Sequence, residues 1–320
     1  LANQERAFAA GAQAQATANG AMALAAFANA TGIDSISAGY GAKATGGNSI
    51  ALGTGSLADA DDSFASGYQS QALATASFAV GAVAKSSGVN SFAMGTETEA
   101  TADDAYAFGT KAKAEGLNSV ALGTFSIANN TDSYALGVHS LASGENSSSF
   151  GTYANATGTS SFAIGLKAQA TNNSALAFGV SALSSGNSST SIGTQAKATN
   201  RESVAIGYKA NSTNHHSLAA GAHTIASGNE SLAIGTRAVA SALRTTAVGV
   251  RASAIAQDGV AIGYEAKAIA ENAYAAGACA IASGVNAIAW GVLANASAVN
   301  SMAIGLSAEA SAKNSMAIGT

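Results

Sequence analysis

The five residues Ser119-Val120-Ala121-Leu122-Gly123 decide the fold, because the same order of small, large, small, large and glycine stands at Ser49-Ile50-Ala51-Leu52-Gly53, Ser203-Val204-Ala205-Ile206-Gly207 and Ser315-Met316-Ala317-Ile318-Gly319. Alternation of this kind marks a strand with two chemically different faces. Stepping outward from Gly123 by 14 residues meets glycine at 22 of 23 positions between Gly11 and Gly319, Ala25 being the exception. No insertion or deletion breaks the count. The sequence therefore reads as a single repeat domain over 1–320, about 23 coils of 14 residues with no internal boundary.

The two faces of the strand differ in size. Four residues before the glycine only Ser, Ala, Thr or Gly occurs, and two before it only Ala or Ser. Three before it 20 of 23 residues are bulky and apolar, and one before it 18 of 23 are. A second short strand follows, as in Ala112-Lys113-Ala114, where the outer pair is small and the residue between them varies. Seven after the glycine, Gly or Asn fills 13 of 22 positions and alanine the other nine. That preference suits a turn residue with positive φ.

Because every repeat has the same phase, successive coils can stack in parallel with like residues over like, each lending backbone hydrogen bonds to the next. The fold class is all-β, a parallel β-solenoid. A 14-residue coil is too thin to hold leucine or phenylalanine inside, so Ala and Ser form the internal core. The coil-turn glycines are Gly53, Gly95, Gly123, Gly165, Gly207, Gly235, Gly263 and Gly305. The bulky residues then point outward as a stripe about 110 Å long at roughly 4.8 Å per coil. Its members include Ile50, Leu52, Phe78, Val80, Phe92, Met94, Val120, Leu122, Phe162, Ile164, Val204, Ile206, Val260, Ile262, Ile288, Trp290, Met302 and Ile304. An apolar stripe of that size is expected to be an interface in an obligate oligomer. Ser66, Ser148, Thr190 and Thr246 put hydroxyls into this seam and should weaken it locally.

Composition narrows the function classes. The net charge is −4 and the charges are scattered, which leaves no basic footprint for nucleic acid. Polar residues and glycines interrupt every apolar run well before the roughly 18 residues of a spanning helix. The opening LANQERAFAAG lacks the pattern of a secretory signal. One cysteine, Cys279, excludes a disulfide framework within the chain. A regular convex rod offers no pocket of convergent polar groups, so neither catalysis nor a cofactor is expected. His139 and His223 lie six coils apart and read as solvated, as do His215-His216 and the turn acids Asp61-Asp62 and Asp103-Asp104.

The variable residue of the short strand is mostly polar, which makes its apolar exceptions informative. Ile127 and Leu141 occupy neighbouring coils with Phe125 beside them, and Ile225 and Val239 form a second such pair. Exposed apolar clusters mark contact sites, so these are candidate ligand contacts, although packing against a neighbouring chain is the preferred reading of them.

The run Asn118-Ser119-Val120-Ala121-Leu122-Gly123, together with the Ala-x-Ala strand at the same period, resembles the head of YadA-like trimeric autotransporter adhesins along the whole chain. That resemblance implies a left-handed parallel β-roll, three chains packed as a homotrimer, and exposure at the outer membrane surface of a Gram-negative bacterium. It implies attachment to host extracellular matrix or surface receptors, with the membrane reached only through a C-terminal anchor absent from these residues. No neck, stalk heptads or anchor strands occur, so the expectation is a fragment of a longer polypeptide. A rod that merely spaces another binding domain from the membrane is the alternative. An ice-binding solenoid is a third reading, weakened because the threonine ladder Thr96, Thr110, Thr124 is broken elsewhere by Tyr40, Tyr68, Val138, Leu166 and Tyr208.

Overall fold

The computed structural model describes residues 1–319, and its contacts divide them into two units, Leu1–Ser160 and a second that begins at Ser161. Each unit is a parallel β-solenoid without helix. A coil contains a three-residue strand such as Ile50–Leu52 and a two-residue strand such as Leu57–Ala58 in the first unit, or Val204–Ile206 and Asn211–Ser212 in the second. Neighbouring coils pair in parallel and one repeat apart, Phe78 with Phe92 and Ala79 with Ala93 in the first unit, Val260 with Tyr274 and Ala261 with Ala275 in the second. This is the like-over-like register that a fixed 14-residue phase demands.

The strands are shorter than the five-residue alternation suggested. Residues such as Ser49 and Gly53, at its two ends, belong to turns. Ser56 N–H donates to Gly53 O at 3.3 Å and Ser49 N–H to Gly46 O at 3.3 Å, so each coil is closed by two tight turns. The backbone bends away from the sheet as soon as these bonds form.

These turns correct one expectation. Positive φ does not fall on the residue seven after the glycine; it falls two and nine after it, as at Phe125 (φ +58) and Asn118 (φ +55). Both are the third residue of a four-residue turn, the place where a type II turn requires positive φ. Glycine seven after is favoured for another reason in several coils: a Cβ at Gly46 would stand 2.1 Å from the carbonyl carbon of Ala60 in the next coil. The turn at Ala60 accommodates a Cβ that the turn at Gly46 has no room for.

The repeat glycine has both constraints at once. At Gly207 φ is +127, and a Cβ would lie 2.6 Å from Gly221 O. Ala25 holds φ +105 without the freedom glycine has there.

The interior contains small side chains alone. Ser49, Ala51, Ser56 and Ala58 are all buried in one coil of the first unit, and Ser203, Ala205, Ala210 and Ser212 in one coil of the second. Most buried hydroxyls close a turn: Ser49 Oγ donates to Gly46 O at 2.6 Å and Ser203 Oγ to Asn200 O at 2.6 Å. The solenoid is thus held by backbone ladders and by contacts between alanines, with no large core residue to anchor it.

Candidate binding surface

With the small residues inside, all side-chain chemistry is displayed on the outside of the coil in vertical rows. Three rows matter: the bulky face of the three-residue strand, the turn residue two after the glycine, and the first residue of the two-residue strand.

The bulky row carries every stripe residue named from the sequence, each half-buried or exposed, from Ile50 and Leu52 to Met302 and Ile304. Exposure reaches 46% at Leu122 and 58% at Trp290. In the first unit Phe64, Phe78 and Phe92 stack face to face, with ring centroids 4.5 and 4.4 Å apart and planes within 10° of parallel. Phe108 continues the stack at 5.1 Å from Phe92. Such pairs are worth about 0.5–1.5 kcal/mol beyond area burial, but their outer edges remain in water. Val80 pairs with Ser66, and Leu176 with Thr190, so the hydroxyls interrupt the row where they were expected to.

The candidate ligand contacts fall on the other two rows. Ile127 lies directly beside Leu141 in the first unit, and Ile225 beside Val239 in the second. Phe125 is 40% exposed and stacks on His139 at 4.8 Å, which stacks in turn on Tyr153 at 4.9 Å. Lys111 Nζ covers the other side of Phe125, 5.6 Å from its centroid. His139 is therefore exposed at its edge but sandwiched across its faces, a role its sequence position alone did not suggest. Column-wise reading of Lys111, Phe125, His139 and Tyr153 would have found it.

Below this aromatic column the same rows are ionic. Lys111 Nζ lies 3.5 Å from Glu97, and Lys113 Nζ lies 2.9 Å from Glu99 and 3.7 Å from Glu115. The hydrogen bond that Lys113 donates to Glu99 holds its ammonium above its ordinary pKa; desolvation opposes this, and the charges of Glu99 and Glu115 add to it. Glu97, Glu99, Lys111 and Lys113 line a shallow groove of about 480 Å³ that ends on Phe125, Ile127 and His139. It can present matched charges and an apolar terminus to a partner.

The turn acids are tied to the preceding coil. Asp61 Oδ1 accepts from Gly47 N–H at 2.7 Å and Asp103 Oδ1 from Val89 N–H at 2.8 Å. His216 Nδ1 is 3.6 Å from Glu202, while His215 stays at the turn surface. Among the described residues no group of three or more His, Cys, Asp or Glu is placed to hold a metal ion. Cys279 is half-buried in a turn with φ +56.

A thin parallel solenoid with an alanine interior and an exposed apolar row defines a protein that works by its outer surface. Its sequence matches the YadA head domain repeat in successive segments from 30–56 to 296–320. The chain belongs to that family, whose fold is that of an adhesin head and not of an enzyme. Among solved structures it is similar to the collagen-binding domain of the Yersinia adhesin YadA, at 20% identity over 64% of this chain and 68% of that one, with a TM-score of 0.15. A search of the curated proteins finds no match.

Proposed function

We propose that this chain is the head segment of a cell-surface adhesin that assembles as a homotrimer and attaches its bacterium to host extracellular matrix or receptor proteins. The observation that carries this reading is the exposed apolar row, with Phe64, Phe78 and Phe92 stacked as a ladder that water would otherwise face. Burying it between chains at about 25 cal/mol per Å² would dominate the stability of the assembly. Family membership supports display at the outer membrane surface. The turn and short-strand rows are left for ligand contact, with Phe125, Ile127 and Leu141 in one patch and Ile225 and Val239 in another. Repetition in three chains would supply avidity where a single contact is weak.

Sedimentation equilibrium tests the assembly: the reading requires a mass of three times 30.8 kDa, and a stable soluble monomer would sink it. Ile127→Ser with Leu141→Ser tests the patch. A trimer that keeps full binding to immobilised matrix protein after both changes removes these residues from the contact.

The spacer reading has one observation in its favour, the near-invariance of the coil over both units. Failure of the correctly assembled chain to bind any matrix protein or host cell would select it.

A further inference from the structure

The charges that are scattered along the sequence become segregated once the coils stack, which corrects the expectation that no basic surface forms. In the second unit Lys167, Lys197, Lys209, Arg237, Arg251 and Lys267 all stand on the turn and short-strand rows, and all are exposed. Only Glu265 and Glu309 oppose them there. Glu202, Glu230, Asp258 and Glu271 lie in the other turn of the coil. A protein of net charge −4 thus carries a basic edge.

These cations differ from Lys111 and Lys113 of the first unit and resemble Lys43 and Lys85, which have no ion pair among the described residues. Lys111 and Lys113 are neutralised by Glu97, Glu99 and Glu115. Among the described residues of the second unit Arg251 alone of the basic edge makes an ion pair, with Glu265 at 2.8 Å. Among the described residues Lys197, Lys209 and Arg237 have no carboxylate partner. Arg237 and Arg251 hold the same turn position on neighbouring coils, about 4.8 Å apart, where their like charges repel, a cost that an anionic ligand would relieve.

The edge is also shaped for a chain molecule. Lys197 and Lys209 line a shallow groove of about 520 Å³ with Ser181, Gln195 and Asn211. Ammonium groups suit sulfate or carboxylate, and the amides and hydroxyl suit sugar hydroxyls. Lys209, His223, Arg237 and Arg251 continue the row over three coil steps, about 14 Å, each step being comparable to one pyranose residue. Lys209 Nζ sits over the Tyr208 ring at 5.1 Å, and the His223 ring meets Tyr208 edge-on at 84°, so these two rings make no continuous stacking platform for successive bases. Single-stranded nucleic acid needs such platforms.

We infer that the basic edge of residues 197–251 binds a linear sulfated polysaccharide of the glycosaminoglycan type, laid along the solenoid axis. This deepens the adhesin reading by giving its ligand a chemical class, and it rests on that reading only for the cellular setting.

The test uses the full chain against immobilised heparin, with hyaluronan, duplex DNA and anionic lipid vesicles as comparisons. Heparin is expected to bind, and its affinity to fall by at least about tenfold between 50 and 200 mM salt as counterions are released. Lys197→Ser, Lys209→Ser and Arg237→Ser together should reduce the magnitude of the log–log salt slope by about three. Serine already occupies the turn position of Lys209 and Arg237 at Ser181 and Ser307, with φ +55 at each, and the short-strand position of Lys197 at Ser253, so folding should survive; a thermal melt confirms it. Arg201→Ser with Lys313→Ser, on the opposite turn, should leave the slope unchanged. An unaltered slope in the triple variant overturns the proposal. So does equal affinity for hyaluronan, DNA or vesicles, which would mark a general polyanion surface. A trimer that ignores heparin yet holds matrix protein overturns the ligand class and leaves the adhesin reading standing; a monomer would sink that reading whatever heparin does.

Discussion

Phe78 lies flat on Phe92, ring centroids 4.4 Å apart and planes 9° from parallel, on the outward face of neighbouring coils. Two large rings meet this way because their strands pair in parallel, residue on residue, one repeat apart. The stack has no cover within its own chain. Replacing both by serine should leave the coil intact, since neither side chain enters the interior. It should weaken self-association by about 2–3 kcal/mol per ring buried. Analytical ultracentrifugation across a concentration series would read this as dissociation at higher protein concentration than the parent.

Ala25 is the one position of the glycine series that carries a Cβ, and it does so at φ +105. A conformation of that kind costs a non-glycine residue about 1–3 kcal/mol. Ala25→Gly should relieve part of it, less the extra freedom glycine brings to the unfolded chain. The expected outcome is a gain of roughly 1 kcal/mol in the stability of the N-terminal coils, measured as slowed hydrogen exchange around 10–40.

The converse change is expected to be severe. At Gly207 a methyl group would stand 2.6 Å from Gly221 O while the backbone is held at φ +127. Gly207→Ala should destabilise the neighbouring coils by at least about 2 kcal/mol, seen as a lower urea midpoint.

Ser149 stands where nearly every other coil has alanine, two before the glycine. It is fully buried and its Oγ has no hydrogen-bond partner. Ser37 at the equivalent place donates to Ala42 O at 2.8 Å. Removing an unpaired buried hydroxyl should help, whereas removing a paired one should not. Ser149→Ala is expected to stabilise by about 1 kcal/mol and Ser37→Ala to be neutral or costly by about that much. Denaturant titration of the two variants side by side would decide it.

Arg244 grips Asp258 with two bonds, Nε to Oδ1 at 2.6 Å and Nη2 to Oδ2 at 2.7 Å, from one coil to the next. Hydrogen bonding from Arg244, and secondarily from Gln257, holds the Asp258 carboxyl below its ordinary pKa; Arg251 does the same first for Glu265. A carboxyl whose folded pKa is depressed contributes stability above its unfolded pKa and loses it as pH falls through the folded one. The loss should therefore begin below about pH 4–5. Both pairs are solvent-facing, so the effect is small and screened by salt. Asp258→Asn should flatten the acid limb of the stability curve at low ionic strength and change nothing in 1 M salt.

How far the sequence alone reaches is visible in single residues. The 14-residue phase, the burial of Ala51 and Ser49, and the outward direction of Ile50 and Leu52 follow from period-two alternation and from volume, because a coil that thin admits no larger core. Tertiary structure decided the rest. Positive φ belongs to Asn118 and not to Gly116, since turn hydrogen bonding, invisible in composition, sets which residue takes the strained corner. The sandwich of His139 between Phe125 and Tyr153, and the partnering of Lys113 with Glu99 while Arg237 has none, depend on contacts between residues 14 apart. Such contacts exist only once coils are stacked and side chains have chosen their rotamers, and that choice is made by neighbours in space.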